Sequence, residues 1–180
     1  MTSVAATRVE RRAAVPELRA AEGRRLIGHA AIWDAPARIG GAFTEVIRRG
    51  AFAACLARSP DVRALQDHDD TRLLGRTKAG TLELHEDDRG LAFTVLLPNT
   101  TVAGDLLELV QRGDASGCSF GFIAIREGWP ARDHRELLAV DLVEISICCA
   151  PPAYPQTSVQ ARSLTKPGGV LVRQRFVATL

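Results

Sequence analysis

The chain has 180 residues, of which 46% are hydrophobic and 24% charged; this suits one globular domain with its own core and excludes a disulfide miniprotein or a disordered chain. Its apolar runs are far too short to span a bilayer, and the opening MTSVAATRVERRAAV lacks the apolar stretch of a secretory signal, so a cytoplasmic setting is expected. The net charge of +2 is unevenly spread: residues 1–25 hold six Arg and three Glu, residues 162–180 hold four basic residues and no acidic one, and the body between them carries 13 basic against 18 acidic residues. Basic ends of this kind can meet nucleic acid or an acidic protein, but no aromatics or binding motif accompany them, so solvated tails are the expectation.

In chain order, residues 1–25 read as a flexible Ala/Arg/Glu segment, a frayed helix, with order beginning at Leu26. Residues 26–33 (LIGHAAIW) are a short β-compatible run, followed by DAPARIGG, whose Pro and Gly mark a loop. A second short strand is expected at 44–47, then a helix over 50–58 with Phe52, Cys55 and Leu56 apolar, closed by Ser59-Pro60. Residues 62–66, 73–77, 81–85 and 91–97 have the rhythm of antiparallel strands separated by turn residues. Residues 101–112 place Val102, Leu106, Leu107 and Val110 on one helical face, with Gly113 as the stop. Two long strands, 118–126 and 136–149, flank the turn-rich EGWPARDH, and Pro151, Pro152 and Pro155 end the second. The class that follows is α+β, a mostly antiparallel β-sheet or barrel with a few packed helices.

Residues 117–121 (GCSFG) match G-x-S-x-G, the nucleophile elbow of α/β-hydrolases, but in reversed context: that elbow follows a strand and opens a helix, whereas here a helix precedes and β-type sequence follows. In an extended 118–123, Cys118, Phe120 and Phe122 share the apolar face while Ser119 and Gly121 point the other way. In the next strand Val143, Ile145, Ile147 and Cys149 form one face and Glu144, Ser146 and Cys148 the other. Ser119 and Glu144 can therefore share a cleft, or be ordinary polar positions on a solvated sheet face.

A nucleophilic serine needs a base. His29 lies in an apolar strand, His85 ends a hairpin strand and His134 sits in an exposed turn, which leaves His68, at the mouth of a strand within QDHDD, as the candidate. Its acidic neighbours also allow a metal reading, although Asp67, Asp69 and Asp70 are too close in sequence to converge on one ion; a solvated loop is the plain alternative. Cys55, Cys118, Cys148 and Cys149 form no CxxC pair and read as reduced thiols. Walker A, G-x-G-x-x-G, H-E-x-x-H and EF-hand sequences do not occur.

Taken together, the motifs and their order resemble the prohead serine proteases of tailed bacteriophages, peptidases related in fold to the herpesvirus assemblins. The resemblance covers about residues 26–162, the expected protease domain between the basic segment 1–25 and a basic tail 163–180, and rests on GHAAIWD, EVIRRGAF, the His68 turn, LLGRTKAGTLELHEDDRGLAFTVLLP, RGDASGCSFGF, LVEIS and PPAYPQTSVQAR. The family's His before LGRT, Ser within SFGF and Glu of EIS fall on His68, Ser119 and Glu144, implying a base, a nucleophile and an orienting carboxylate, with backbone N–H groups near Ser119 or Gly121 and Arg76 as oxyanion donors and Ser146 as a helper. It further implies an endopeptidase that needs no cofactor or metal and acts in the host cytoplasm inside the immature capsid. There it would cleave the scaffolding segment of the major capsid protein, and its own chain, with self-association by analogy and no role for membrane or nucleic acid. The basic ends are then candidate sites of self-cleavage or capsid docking. A composition of 21 Arg against two Lys points to a GC-rich genome, so a prophage or gene transfer agent is as open as a free virus. Two rivals remain: a catalytically silent capsid-assembly module, and a small esterase built on GCSFG, which requires a helix directly after Ser119.

Overall fold

The computed structural model describes residues 8–14 and 18–149. In chain order these form β1 (Glu10–Ala14), β2 (Arg19–Ala21), β3 (Arg25–Ile32), β4 (Ala37–Ile39), β5 (Phe43–Ile47), α1 (Ala53–Ala57), β6 (Arg63–Gln66), β7 (Asp69–Arg76), β8 (Leu82–Glu86), β9 (Gly90–Leu96), α2 (Thr101–Arg112), β10 (Gly117–Ala131) and β11 (His134–Cys148). One sheet of seven strands runs β1-β10-β11-β5-β4, with β6 added to β11 and β7 to β6; the other, of four, runs β2-β3-β9-β8. The class is α+β and mostly β. Of the two forms expected, open sheets are found among the described residues and no closed barrel.

Pairing is antiparallel except along one edge of β11, where β5 joins its start and β6 its end, both parallel. β5 and β6 thus lie along the same edge of β11, and the connection between them carries α1. This connection also serves the middle of β11, where neither strand reaches. Val140 N–H donates to the Ala51 carbonyl at 2.9 Å, Arg48 N–H to that of Leu137 at 3.0 Å, and Leu142 N–H to Cys55 Sγ at 3.3 Å. Backbone groups that would otherwise be buried unpaired are thus satisfied.

The two sheets and both helices share one core. Leu26, Leu91, Phe93 and Val95 from the smaller sheet meet Phe120, Phe122, Ile145 and Ile147 from the larger one, with Phe52, Cys55, Leu106 and Val110 from the helical segments. Each such aliphatic or aromatic side chain, fully withdrawn from water, contributes about 1.5–3 kcal/mol. Helix α2 ends where its sequence says it should: Thr100 Oγ1 accepts from Ala103 N–H at 3.3 Å, and Gly113 closes it at φ 81°. Its buried face is Ala103, Leu106 and Val110, with Leu107 packed at the margin; Val102, expected on that face, is exposed.

The segment before Leu26, read as a frayed helix, instead supplies β1 and β2. β4 falls inside the expected DAPARIGG loop, and the β10–β11 hairpin continues through EGWPARDH to a turn at Arg132-Asp133. Pro130 is tolerated there because it stands at a register irregularity between the Gly128–Glu136 and Ala131–His134 pairs, where no regular ladder bond is lost. A second irregularity, between Gly121 and Phe122, pairs Phe122 with Leu142, so Leu142 joins the core in place of the expected Val143, which is half-buried. The expected C-terminal tail, 163–180, and the prolines at 151, 152 and 155 lie outside the described residues.

Candidate functional site

The site is built on the face of the larger sheet that turns away from the core. β10 directs Cys118, Phe120 and Phe122 inward, which leaves Ser119 and Gly121 on the opposite side. Across the sheet Ser119 pairs with Ala13 of β1 and Ser146 of β11, while Gly121 pairs with Arg11 and Glu144. Residues directly opposite in antiparallel strands share a face, so these six belong to one patch.

His68 arrives from the hairpin between β6 and β7. That connection is two residues long, Asp67-His68, and both have positive φ, 52° and 61°, as a type I′ hairpin turn requires. Asp and His tolerate this left-handed backbone better than most side chains, but without glycine it is strained. The turn is held in place by the end of β11: Asp67 N–H donates to the Ile147 carbonyl at 3.0 Å, His68 N–H to Ser146 Oγ at 3.2 Å, and Cys149 N–H to Asp67 Oδ1 at 2.9 Å. Ser146, opposite Ser119 in the register, therefore helps to fix the turn that carries His68.

The result is a continuous chain of hydrogen bonds. Ser119 Oγ lies 2.5 Å from His68 Nε2, and His68 Nδ1 lies 2.8 Å from Glu144 Oε1. With the proton on Nδ1, the imidazole donates to the carboxylate and presents Nε2 as an acceptor to the serine hydroxyl. The same Glu144 oxygen accepts from Arg11 Nε at 2.8 Å. Burial works against ionisation of Glu144, yet the hydrogen bonds from His68 and Arg11 outweigh it and hold the carboxyl below its ordinary value of 4.5. Ser119 and Glu144 are each only 2% exposed.

Two neighbours complete the patch. An added Cβ at Gly121 would stand 2.8 Å from Glu144 Cγ and 2.9 Å from its Oε1, so the carboxylate lies over a position that only glycine leaves open. Cys148 Sγ is 3.5 Å from Ser119 Oγ, and burial raises its thiol above the ordinary value, which keeps it protonated beside the hydroxyl.

The other candidates have different partners. Arg76, expected as an oxyanion donor, donates from Nε and Nη2 to Asp61 at 2.7 and 2.6 Å. His29 pairs with Asp87 at 2.8 Å. Asp69 accepts from Thr71 and Asp70 pairs with Arg63, so the acidic neighbours of His68 point to separate partners. Sequence reasoning brought together Ser119, His68 and Glu144 but missed Arg11, whose only local signal was membership of an Arg-rich run. β10 continues as a strand to Ala131, which removes the hydrolase elbow and its esterase reading.

A serine hydroxyl on an imidazole that is itself on a carboxylate can transfer an acyl group: the base takes the hydroxyl proton as oxygen attacks, and the carboxylate steadies the resulting cation. Comparison with curated proteins and with solved structures finds no match in either. The family model of the caudovirus prohead serine proteases, by contrast, matches residues 11–167, a span that holds Ser119, His68, Glu144 and Arg11. With most of its length matched, the chain belongs to the caudovirus prohead serine protease family.

Proposed function

We propose that this chain is a capsid-maturation endopeptidase whose nucleophile is Ser119, with His68 as general base and Glu144 as its orienting carboxylate. The observation that carries the reading is the unbroken hydrogen-bonded series from Ser119 Oγ through His68 to Glu144, on a chain whose family consists of serine proteases. Ser119 oxygen bonds to the carbonyl carbon of the scissile peptide while its proton moves to His68 Nε2. The tetrahedral intermediate collapses, the C–N bond breaks, and the imidazolium gives that proton to the departing amine. Water, deprotonated by the same imidazole, then frees the acyl group and restores Ser119. Glu144 does not take the proton; it holds the ring and balances the imidazolium charge.

The substrate in this reading is the scaffolding segment of the major capsid protein, cut inside the immature capsid, together with the protease's own ends. A kinship of fold with the herpesvirus assemblins belongs to the same proposal. A silent assembly module is the weaker reading, because a scaffold has no need of three polar side chains aligned at 2.5 and 2.8 Å, two of them buried.

Co-expression of wild type, Ser119→Ala and His68→Ala with the major capsid protein, read by intact mass, tests the proposal. Wild type is expected to trim the capsid protein's N-terminal region while both folded variants leave it whole. Capsid chains of identical mass in all three, with capsids still assembling, would replace the protease with the silent module.

A further inference from the structure

We propose that Arg11 is a positioning residue of this site, its guanidinium holding the Glu144 carboxylate against His68 from the N-terminal strand. The inference rests on the roles given above to Ser119, His68 and Glu144.

Three residues lie in register across three adjacent strands: Arg11 on β1, Gly121 on β10 and Glu144 on β11. The middle one has no side chain. Arg11 and Glu144 therefore meet over Gly121, and Nε donates to Oε1 at 2.8 Å, the oxygen that also accepts from His68. A glutamate has enough rotatable bonds to swing away from an imidazole. Two charge-assisted donors on one oxygen, with a closed approach from the glycine side, leave it one orientation. The Glu144 side chain is 2% exposed while that of Arg11 is 45% exposed, so the buried carboxylate is reached by a guanidinium that keeps much of its own hydration.

The fixed positive charge has a second effect. A lone carboxylate attracts the imidazolium strongly and favours keeping the proton that His68 must pass to the leaving amine. A cation on the same oxygen weakens that hold. The other charged or titratable groups around the pair are differently engaged. Arg63 of β6, opposite Glu144 in the register, pairs with Asp70, and Asp67 of the turn accepts from Cys149 N–H. Asp69 and Arg72 pair with each other on β7. Burial raises the thiols of Cys148 and Cys149 on the β11 side, so neither brings charge. Among the described residues, Arg11 is the guanidinium bonded to Glu144.

The test is the rate at which a fluorophosphonate modifies Ser119 in the purified full chain, followed by intact mass over a pH series. It compares wild type with Arg11→Met, Arg11→Gln and Arg11→Lys, with melting temperature as the check on folding. Arg11→Met is expected to react about ten-fold more slowly near neutral pH, as misorientation of a catalytic group does. The low-pH arm of its rate profile should also move to higher pH, because an unopposed carboxylate keeps the proton on the imidazole. Arg11→Lys should return that arm toward its wild-type position, and Arg11→Gln is read alongside in case the methionine variant does not fold. A purely structural role would lower the melting temperature without moving the arm. A folded Arg11→Met or Arg11→Gln with wild-type rate and wild-type profile would overturn the role of Arg11 and leave the triad standing. Absence of any Ser119 adduct in the wild type would overturn both.

Discussion

Gly121 shows how the absence of a side chain can hold a site together. A methyl added at Gly121 would press on the Glu144 side chain, which cannot swing aside without releasing both His68 and Arg11. Gly121→Ala is therefore expected to cost about 1–3 kcal/mol in chemical denaturation, as overpacking does, and to reduce Ser119 reactivity by about a hundred-fold through a displaced carboxylate. Loss of stability with full reactivity would mean that Glu144 has another place to go. The same carboxylate contributes to acid sensitivity. Glu144, Glu10, Glu127 and Glu136 all lie below 4.5 in the folded chain: burial is the largest influence on Glu144 and Glu10, but the hydrogen bonds outweigh it, whereas bonds to Trp129 and Arg48 lead for Glu127 and Glu136. Groups with depressed folded values stabilise above their unfolded pKa, and that contribution drains away as pH falls through the folded values. The melting temperature should thus hold near neutrality and drop once the pH passes below about 4.5. The Glu144→Gln variant should show a shallower decline. Of these residues Ser119, His68 and Glu144 were legible in the sequence, two from strand alternation and one from its place in a turn. The role of Gly121 was visible only as smallness, since its meaning depends on Glu144, 23 positions away in sequence and opposite it in the sheet.

At the level of elements, strand β1 carries the largest departure from expectation. Residues 1–25 have the composition of a solvated basic tail, yet Arg12 is 8% exposed and donates to Glu45 through Nε at 2.5 Å and Nη2 at 2.9 Å, and to Glu10 at 2.7 Å. Arg135 of β11 reaches the same two glutamates and also Glu127 of β10. Four strands are tied through one network, with Arg12, Glu45 and Arg135 buried at its centre and partners up to 125 residues apart. No local reading of an Arg/Glu run can find such pairings, which explains why the strand was invisible while α2, whose signals are a 3.6-residue period and a terminal Gly, was read to its ends. The hairpin β8–β9 was legible for a similar reason, since alternation and turn residues are local, whereas β7, expected from 73, begins at Asp69. β4 was not legible, because three residues between Pro and Gly carry too little pattern. Glu45→Ala, which leaves two buried guanidinium groups short of a partner, is expected to destabilise by about 3–5 kcal/mol in urea unfolding. Leu106→Ala, at the centre of the α2 face, should cost about 2–5 kcal/mol. An unchanged unfolding midpoint in either variant would show that the element is held by something else.

For the whole molecule, the two-sheet architecture gives one face of the larger sheet to the core and the other to chemistry. Three features fix the chemical face: the register of β1, β10 and β11, the strained turn that delivers His68, and a core that prevents the register from slipping. Because β1 brings Arg11 to this face and Arg12 to the buried network, removing residues 1–14 is expected to abolish both Ser119 reactivity and cooperative unfolding, whereas a basic tail used only for docking would leave both intact. In the proposed account Ser119, His68 and Glu144 act as one unit, and the most direct test is the rate at which the capsid protein's N-terminal segment is cut by wild type, Ser119→Ala, His68→Ala and the double variant. Each single variant should lose at least about a thousand-fold, and the double variant should be no slower than either, because removing one member already disables the others. Losses that multiply in the double variant, or a single variant that still cuts at the wild-type rate, would contradict it.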